Sequence, residues 1–482
     1  MAESGKMKPE AVRELFRGND DIQMKRYELD GSGGQQAVYL AYCEGMVHAN
    51  QINRFILPGL SELLPITNGG LELDKKWDLQ KIEQLEEIVY LLFSGQLIIV
   101  IEGVDAAFAM DIASIPQRQP QESSAEMSIK GPRDAFTEEL ATNVALVRKR
   151  LRSNSLRCER FVIGERSKTD VALLFIEDIA KPEMIEEARR RLKTIKTDVL
   201  LGASPLEELL SDNKYSLFPL LSYTTRPDFV ADSLIRGRFA VIAQGAPTAV
   251  LAPGNLFYML RSPEDSYFSY LPSTFGLLFR YLGLVAALLL PGFYIAVTSY
   301  NVEQIPFPLL ATIGLSRMGL PFPGPLEAFL MVIMFEIFRE AGERLPKAVG
   351  STVAVVGGIV VGEAAIRAGL TSTTMIVVAA MTGVANFTVV NQTLVFAVSI
   401  SRLFIMICSS FLGMYGFMLG LIGTLLYLAT LKSYGLPYLA PLSPVTWQDL
   451  KFVLARIPWI KKNKRPKMLQ TIDDTRQEEG GS

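Results

Sequence analysis

One carboxylate, that of Glu363, lies in an apolar and glycine-rich stretch of the chain, 348–369. At about 100° per residue, a helix over this stretch places Thr352, Val356 and Ile359 on the same strip as Glu363. A carboxylate that faces lipid is costly, so this strip should face protein or water. Repeated around a symmetric ring of copies, it would line a narrow pore with an apolar constriction and a ring of carboxylates, which is a pathway for cations.

Two alternatives to this pore lining stay open. In the first, Glu363 lies at the membrane interface and pairs with Arg367, one helical turn later. In the second, the pore is lined by the polar face that Thr382, Asn386 and Thr393 would share on the next predicted helix.

Small residues predict where helices approach each other closely. Ala354, Gly358 and Gly362 form a ridge on the helix that carries the carboxylate. Gly416 and Gly420 stand at GxxxG spacing further along the chain. Because small side chains let two backbones come together, we expect both sets to pack on other helices.

Another group of charges follows a short apolar run in the stretch 325–347. Opposite charges stand four residues apart there and can pair along a helix. One interpretation is a self-neutralising, solvated helix end. The other is a charged collar beside a pore, because carboxylates close to a membrane tend to be functional. The members of this collar are Glu336, Arg339, Glu340, Glu343 and Arg344.

The remaining reactive residue types do not form a catalytic or metal-binding pattern. His48 is the single histidine, which argues against histidine-based zinc sites and against a Ser-His-Asp triad. The three cysteines, Cys43, Cys158 and Cys408, are far apart in the sequence. Lysine and arginine (48) balance aspartate and glutamate (50), which argues against nucleic acid as a partner. We therefore predict no enzymatic activity, no metal and no cofactor.

The elements that position these residues divide the chain into a polar N-terminal part and an apolar C-terminal part. Strand and helix patterns alternate in the front part, which predicts two small α+β subdomains separated by a linker rich in Pro, Gln and Ser. The predicted fold is thus a cytoplasmic α+β region of two subdomains, followed by an α-helical multi-pass membrane domain. The predicted segments are 1–113 (first subdomain), 114–124 (linker), 125–270 (second subdomain and connector), 271–431 (membrane domain) and 432–482 (basic tail).

The predicted topology has four membrane crossings, each an apolar run of sufficient length. The N-terminus carries no secretory signal and the tail is basic, so both ends are expected on the cytoplasmic side and the number of crossings is even. The charged helix 325–345 is expected not to cross; an alternative makes it a fifth crossing and places the tail outside. The four crossings are 276–299, 348–367, 371–396 and 402–431.

Five long motifs together carry a resemblance to a known family. They are GPRDAFTEELATNVALVRKRL (131–151), DNKYSLFPLLSYTTRPDFVADSLIRGRFAVI (212–242), RSPEDSY (261–267), PFPGPLEAFLMVIMFEIFREAGERLP (321–346) and GSTVAVVGGIVVGEAAI (350–366). With these motifs the chain resembles the A subunit of spore germinant receptors of the GerA family, over most of its length and in the order of the family. A-like proteins of the SpoVAF type share these motifs, and the sequence does not separate the two.

The resemblance implies a place and partners for the protein. It implies an integral protein of the inner membrane of the spore, with both termini on the core side. It also implies a transporter-like B subunit that senses nutrient, a lipoprotein C subunit, and assembly as a homo-oligomeric ring that is proposed to be a pentamer. The function so implied is the release of monovalent cations when nutrient binds. The competing hypothesis is a non-conducting scaffold that docks the sensing subunit and relays its state.

Overall fold

The computed structural model describes residues 8–31, 34–64, 77, 79–82, 84–114, 129–344, 362–458 and 463–476. Among these, two units that each contain a five-stranded antiparallel sheet precede a bundle of helices. The prediction of two mixed subdomains followed by a helical domain is therefore confirmed.

The first unit is a sheet of order β1-β2-β4-β5-β3 with helices on both faces. Successive side chains of β2 alternate between the two faces: Val38 and Leu40 pack on one side, Tyr39 and Ala41 on the other. A π-helical turn, Ile52–Ile56, joins α2 to α3. The elements are α1 Pro9–Leu15, β1 Ile22–Gly31, β2 Gly34–Cys43, α2 Ala49–Gln51, α3 Leu57–Leu63, β3 Gln80–Ile82, α4 Leu85–Leu92, β4 Gln96–Ile101 and β5 Ala107–Asp111.

The second unit repeats this layered plan with the order β6-β7-β9-β10-β8. Val171 and Leu173 of β7 face one helical layer, and Ala172 and Leu174 face the other. The sheet is thus covered on both faces, as its continuous apolar strands require. The elements are α5 Leu140–Arg148, β6 Leu156–Ile163, β7 Thr169–Ile176, α6 Pro182–Thr194, α7 Ala203–Leu210, β8 Ser222–Thr224, α8 Pro227–Ile235, β9 Phe239–Ala243, β10 Ala249–Ala252 and α9 Leu256–Met259.

A fully buried ion pair joins the two units. Arg148 at the end of α5 donates from Nε and Nη2 to the two carboxylate oxygens of Asp21, at 2.7 and 2.9 Å. Nη2 also donates to Asn19, and the guanidinium lies over the Phe93 ring, 4.4 Å from its centroid. The polar atoms of this ion pair thus have hydrogen-bond partners, and these contacts offset the cost of burying two charges.

The helical region begins after a 3₁₀ turn, Pro263–Ser266. Two of its described helices, α10 and α14, are long and apolar enough to cross a membrane. Short 3₁₀ turns also occur at Val302–Gln304 and Lys467–Leu469, and residues 362–367 are helical. The remaining elements are α10 Tyr270–Ser299, α11 Phe307–Arg317, α12 Gly324–Arg344, α13 Thr373–Phe387, α14 Gln392–Thr430, β11 Lys432–Ser433, β12 Leu436–Pro437 and α15 Trp447–Leu454.

α14 is two antiparallel arms rather than one rod. Gly413 has φ 58° and ψ −135°, which breaks the helix. A Cβ on Gly420 would lie 3.2 Å from Cα of Ile405, whereas a straight helix would separate these residues by about 22 Å. Gly416 likewise approaches the backbone of Cys408. The single helix expected over 402–431 is therefore wrong: the arms 392–412 and 414–430 reverse at a residue for which left-handed backbone carries no steric cost.

α12 runs antiparallel to α10. A Cβ on Gly324 would lie 2.9 Å from Oγ of Ser299, and Ala328 packs with Ile295 one turn further along. α13 also runs antiparallel to α10, because the Thr374 hydroxyl lies 2.9 Å from that of Tyr294 and Gly283 contacts Thr388. The helix expected over 371–396 is shorter than predicted, since α13 ends at Phe387 and a new helix starts at Gln392.

After α14 the chain returns to the second unit. The Ser433 hydroxyl donates to the carbonyl of Leu220 at 2.7 Å and accepts from N–H of Gly254 at 3.2 Å. Asn255 donates to the carbonyl of Ala440 at 2.7 Å, and N–H of Leu256 donates to the carbonyl of Tyr438 at 3.1 Å. The second unit therefore holds both the start of α10 and the end of α14.

The buried pair between the units yields a first prediction. Asp21→Asn leaves the Arg148 charge buried and without a counter-charge, which costs about 3–5 kcal/mol. We expect the amides of β1 and α5 to exchange with deuterium at least about a hundredfold faster, measured by mass spectrometry on the full chain. Glu14→Gln is the matched control, because the Glu14–Arg17 pair is exposed and removing it changes stability by less than about 1 kcal/mol. Equal protection in both variants would contradict the prediction.

Candidate functional site: charged side chains of the helical region

Most of the predicted pore strip lies outside the described residues. Thr352, Val356 and Ile359 belong to the stretch 345–361, as do the packing residues Ala354 and Gly358. Their arrangement stays a prediction.

The C-terminal end of that strip is described. Arg367 donates to the Glu363 carboxylate at 2.6 Å, and the two side chains are 78% and 59% exposed. At Gly362, an added Cβ would be in ordinary contact with Ile376 of α13, at 3.9 Å. In a single chain, Glu363 thus faces outward from the bundle and is paired with its neighbour on the helix.

The alternative pore residues do not share one helix. Thr382 and Asn386 lie on α13, where both are buried against the rest of the chain. Thr393 follows the break after Phe387 and belongs to the first arm of α14. The common face expected for Thr382, Asn386 and Thr393 is therefore wrong, because it assumed a continuous helix through 388–391.

Two members of the predicted collar take part in a buried ion network. Glu336 accepts from Arg339, one turn later, at 2.7 Å and from Arg402 of α14 at 3.0 Å. Arg402 is buried; it also donates to the Ser399 hydroxyl at 3.2 Å and to the carbonyl of Ala287 at 3.4 Å. The network therefore ties α12 to both α10 and α14.

Of the remaining collar residues, the structure describes the side chain of one, Glu340. Glu340 is half-buried on α12, one turn beyond Glu336. The side chains of Glu343 and Arg344 lie outside the part that the structure describes.

Another carboxylate, that of Glu327, is buried at the other end of α12. Its Oε1 accepts from the Thr371 hydroxyl at 3.0 Å and from the N–H and hydroxyl of Ser372 at 2.6 and 2.5 Å. Its Oε2 has no hydrogen bond, but Nε of Arg317 lies 3.7 Å away. Since Ser372 is the N-cap of α13, this carboxylate fixes the start of α13 against α12.

Sequence reasoning did not identify Arg402, Glu327 or Ser372 as site residues. Arg402 does leave a signal in the sequence, because it is the one charge in the long apolar run 392–430. Such a charge within an apolar helix is rarely left facing lipid. The partner of Arg402 could not be found by spacing, since Glu336 is 66 residues away.

These charged groups are arranged for holding helices together rather than for bond-breaking chemistry. Each carboxylate has an arginine beside it, and no cluster of three or more His, Cys, Asp or Glu within the described ranges could hold a metal ion. In the first two units, burial raises the pKa of the Cys43 and Cys158 thiols well above the usual value, with Asp21 adding to the effect. Both sulfurs therefore stay protonated and unreactive at neutral pH.

Comparison with known proteins places the chain among spore germination proteins. The family model described as "Bacillus/Clostridium GerA spore germination protein" matches residues 10–468. The chain is 37% identical to spore germination protein XA of Bacillus anthracis, over 97% of this chain and 96% of that protein. It is 32% identical to spore germination protein B1 of Bacillus subtilis, over 97% and 98% of the two chains.

Two further matches were found. The chain is 34% identical to the uncharacterized membrane protein YfkQ of Bacillus subtilis, over 94% of this chain and 88% of that protein. A crystal structure of the N-terminal domain of the A subunit of the Bacillus megaterium spore germinant receptor GerK3 aligns with a TM-score of 0.40 and 27% identity, covering 51% of this chain and 92% of that one.

The Glu336–Arg402 contact yields a second prediction. Glu336→Gln leaves Arg402 charged and buried without a carboxylate, which costs about 3–5 kcal/mol. We expect the detergent-purified chain to unfold at a temperature lower by about 6–20 °C, at about 2–4 °C per kcal/mol. Replacing both partners, as Glu336→Leu with Arg402→Met, should restore most of the loss. Glu363→Gln is the matched control, since its pair with Arg367 is exposed; an equal loss in that variant would contradict the prediction.

Proposed function

Because the chain belongs to the GerA family of spore germination proteins, we propose that it is the A subunit of a spore germinant receptor, an oligomeric membrane protein that couples nutrient sensing to the release of monovalent cations. The observation that carries this proposal is the match to the family over nearly the whole chain, 10–468, rather than over one domain. The proposed location is the inner membrane of the spore, with both termini on the core side.

The packing of the helices supports six membrane crossings rather than four. α12 and α13 both run antiparallel to α10, and the two arms of α14 run antiparallel to each other; in this proposal 348–367 adds the sixth crossing, between α12 and α13. An even number keeps the second unit and the basic tail on one side, as the positive-inside rule requires. The prediction that α12 does not cross the membrane rests on its charged residues. In the structure, Glu327 and Glu336 are neutralised within the bundle by Arg317 and Arg402, so these charges do not argue against a crossing.

The pore is proposed to lie between copies of the chain. A side chain that lines such a pore must be accessible in one copy, as Glu363 is and as Thr382 and Asn386 are not. This difference favours the strip of Thr352, Val356, Ile359 and Glu363 over the set on α13. The outer face of α13 is apolar and exposed, which suits contact with lipid or with a neighbouring copy; it carries Val377, Met381, Val384 and Phe387.

The partners proposed for this subunit are a transporter-like B subunit and a lipoprotein C subunit. The two mixed units would then relay the state of the sensing subunit to the helices. The ring is proposed to contain several copies of this chain, with five as the number that the family resemblance implies. In the competing proposal the same assembly docks the sensor without conducting ions.

Ion flux separates conduction from scaffolding. In liposomes that contain the purified chain, we expect Glu363→Gln to lower the potassium efflux about tenfold, because a ring of carboxylates would be lost. Val356→Ala should raise the basal efflux, because it widens the apolar constriction. Efflux is read with a potassium-sensitive dye, and ring assembly is checked by the mass of the detergent complex.

The matched control is Glu303→Gln, which removes one exposed carboxylate after α10 that is not part of the proposed strip. It should leave the flux unchanged. If Glu363→Gln and Val356→Ala both match the wild type while disruption of 325–347 abolishes assembly, the scaffold function is correct and the conducting one is wrong.

A further inference from the structure

A cavity lies where the second unit, the connector, the start of α10 and the C-terminal tail meet. Its volume is about 80 Å³, several times the roughly 10–15 Å³ that a cavity needs by the same measure to hold one water. Asp232 of α8, Ser273 of α10 and Phe452 of α15 lie in its wall.

The wall of this cavity carries more positive than negative side chains, and its carboxylates are already engaged. Asp232 pairs with Arg236 at 2.6 Å, and Asp265 pairs with Arg280 at 2.6 Å. Asp449 accepts from two backbone N–H groups of the tail. The cationic members of the wall are Arg236, Arg238, Arg261, Arg456, Lys464 and Arg476.

Arg238 is a buried cation in this wall whose acceptors are neutral. Its Nε donates to the carbonyl of Pro253 at 3.0 Å, and Nη2 lies 3.5 Å from the amide oxygen of Asn255. The guanidinium stacks on the Tyr258 ring, 3.8 Å from its centroid. Burial lowers the pKa of Arg238 to about 10, and the Asp232 carboxylate offsets this desolvation only in part.

Arg261 and Arg456, which are half-buried, are two further cations of this wall whose acceptors are neutral. Arg261 donates to the carbonyl of Phe452 at 2.5 Å, and Arg456 donates to the carbonyl of Ser266 at 2.7 Å. Nη1 of Arg456 is buried and has no hydrogen-bond partner. Over the ranges that the structure describes, none of the three guanidinium groups forms an ion pair with a carboxylate.

We propose that this cavity binds a phosphate group, held by the guanidinium groups of Arg238, Arg261 and Arg456. Arginine donates two parallel N–H groups to phosphate oxygens, and such charge-assisted bonds strengthen where water is excluded. A bound phosphate supplies the acceptor that Nη1 of Arg456 lacks. It also bridges the second unit, the connector and the tail, which contribute one arginine each.

The phosphate belongs either to the headgroup of an anionic lipid or to a soluble anion, since Ser273 and Leu277 of α10 border the same cavity. The two sources are separated by thermal unfolding of the full chain in maltoside detergent, which contains no phosphate. Sodium phosphate is added in one arm, phosphatidylglycerol in a second, and sodium chloride of equal ionic strength in the reference. Stabilisation by phosphate identifies a soluble ligand, and stabilisation by the lipid alone identifies a headgroup. No stabilisation in either arm overturns the proposal.

Variants locate the effect at the cavity. Arg261→Gln combined with Arg456→Gln should weaken the apparent affinity for the stabilising ligand about tenfold or more. Arg456→Lys keeps the charge but loses the planar fork, so it should weaken binding less while preserving the fold. The control is Arg166→Gln, which removes one charge from an exposed pair with Asp198. Equal weakening in the control and in the cavity variants overturns the assignment to this cavity. If the double variant does not fold, the comparison of Arg456→Lys with Arg166→Gln still decides.

Discussion

The positive charge of Arg402 must be neutralised inside a bundle of apolar helices, and this requirement fixes how the bundle packs. An isolated arginine at such a position costs several kcal/mol, so a helix that supplies a carboxylate has to lie beside it. α12 supplies Glu336, and the same arginine reaches the backbone of α10 at Ala287. This one neutralised charge therefore links three helices, α10, α12 and α14.

α12 makes polar contacts at two levels of the helical region. About two and a half turns before Glu336 it presents Glu327 to Arg317 and to the N-cap of α13. Between the two carboxylates, Ala328 and Met331 pack against α10 with apolar surface. The helix thus combines polar contacts at two levels with apolar packing between them.

The sequence predicted the two mixed units well because their signals are local. β2 alternates between two apolar faces, and β9 and β10 form a hairpin that turns at Gln244 and Gly245. Prediction from the sequence failed for those helices whose ends and contacts depend on residues distant in the sequence. Hydropathy runs smoothly through 388–391 and through Gly413, so neither helix break is visible in the sequence. The prediction that α12 does not cross the membrane assumes that water solvates its charges. The ion pair between Glu336 and Arg402 shows why that assumption misleads.

The return of the chain to the second unit after α14 gives the molecule a mechanical property. Leu220 and Gly254 hold the strand that follows the last helix, while the segment after Asn255 leads directly into the first. The opening and closing helices of the bundle are thus attached to the same unit. A displacement of this unit relative to the other helices therefore acts on α10 and on the second arm of α14 together.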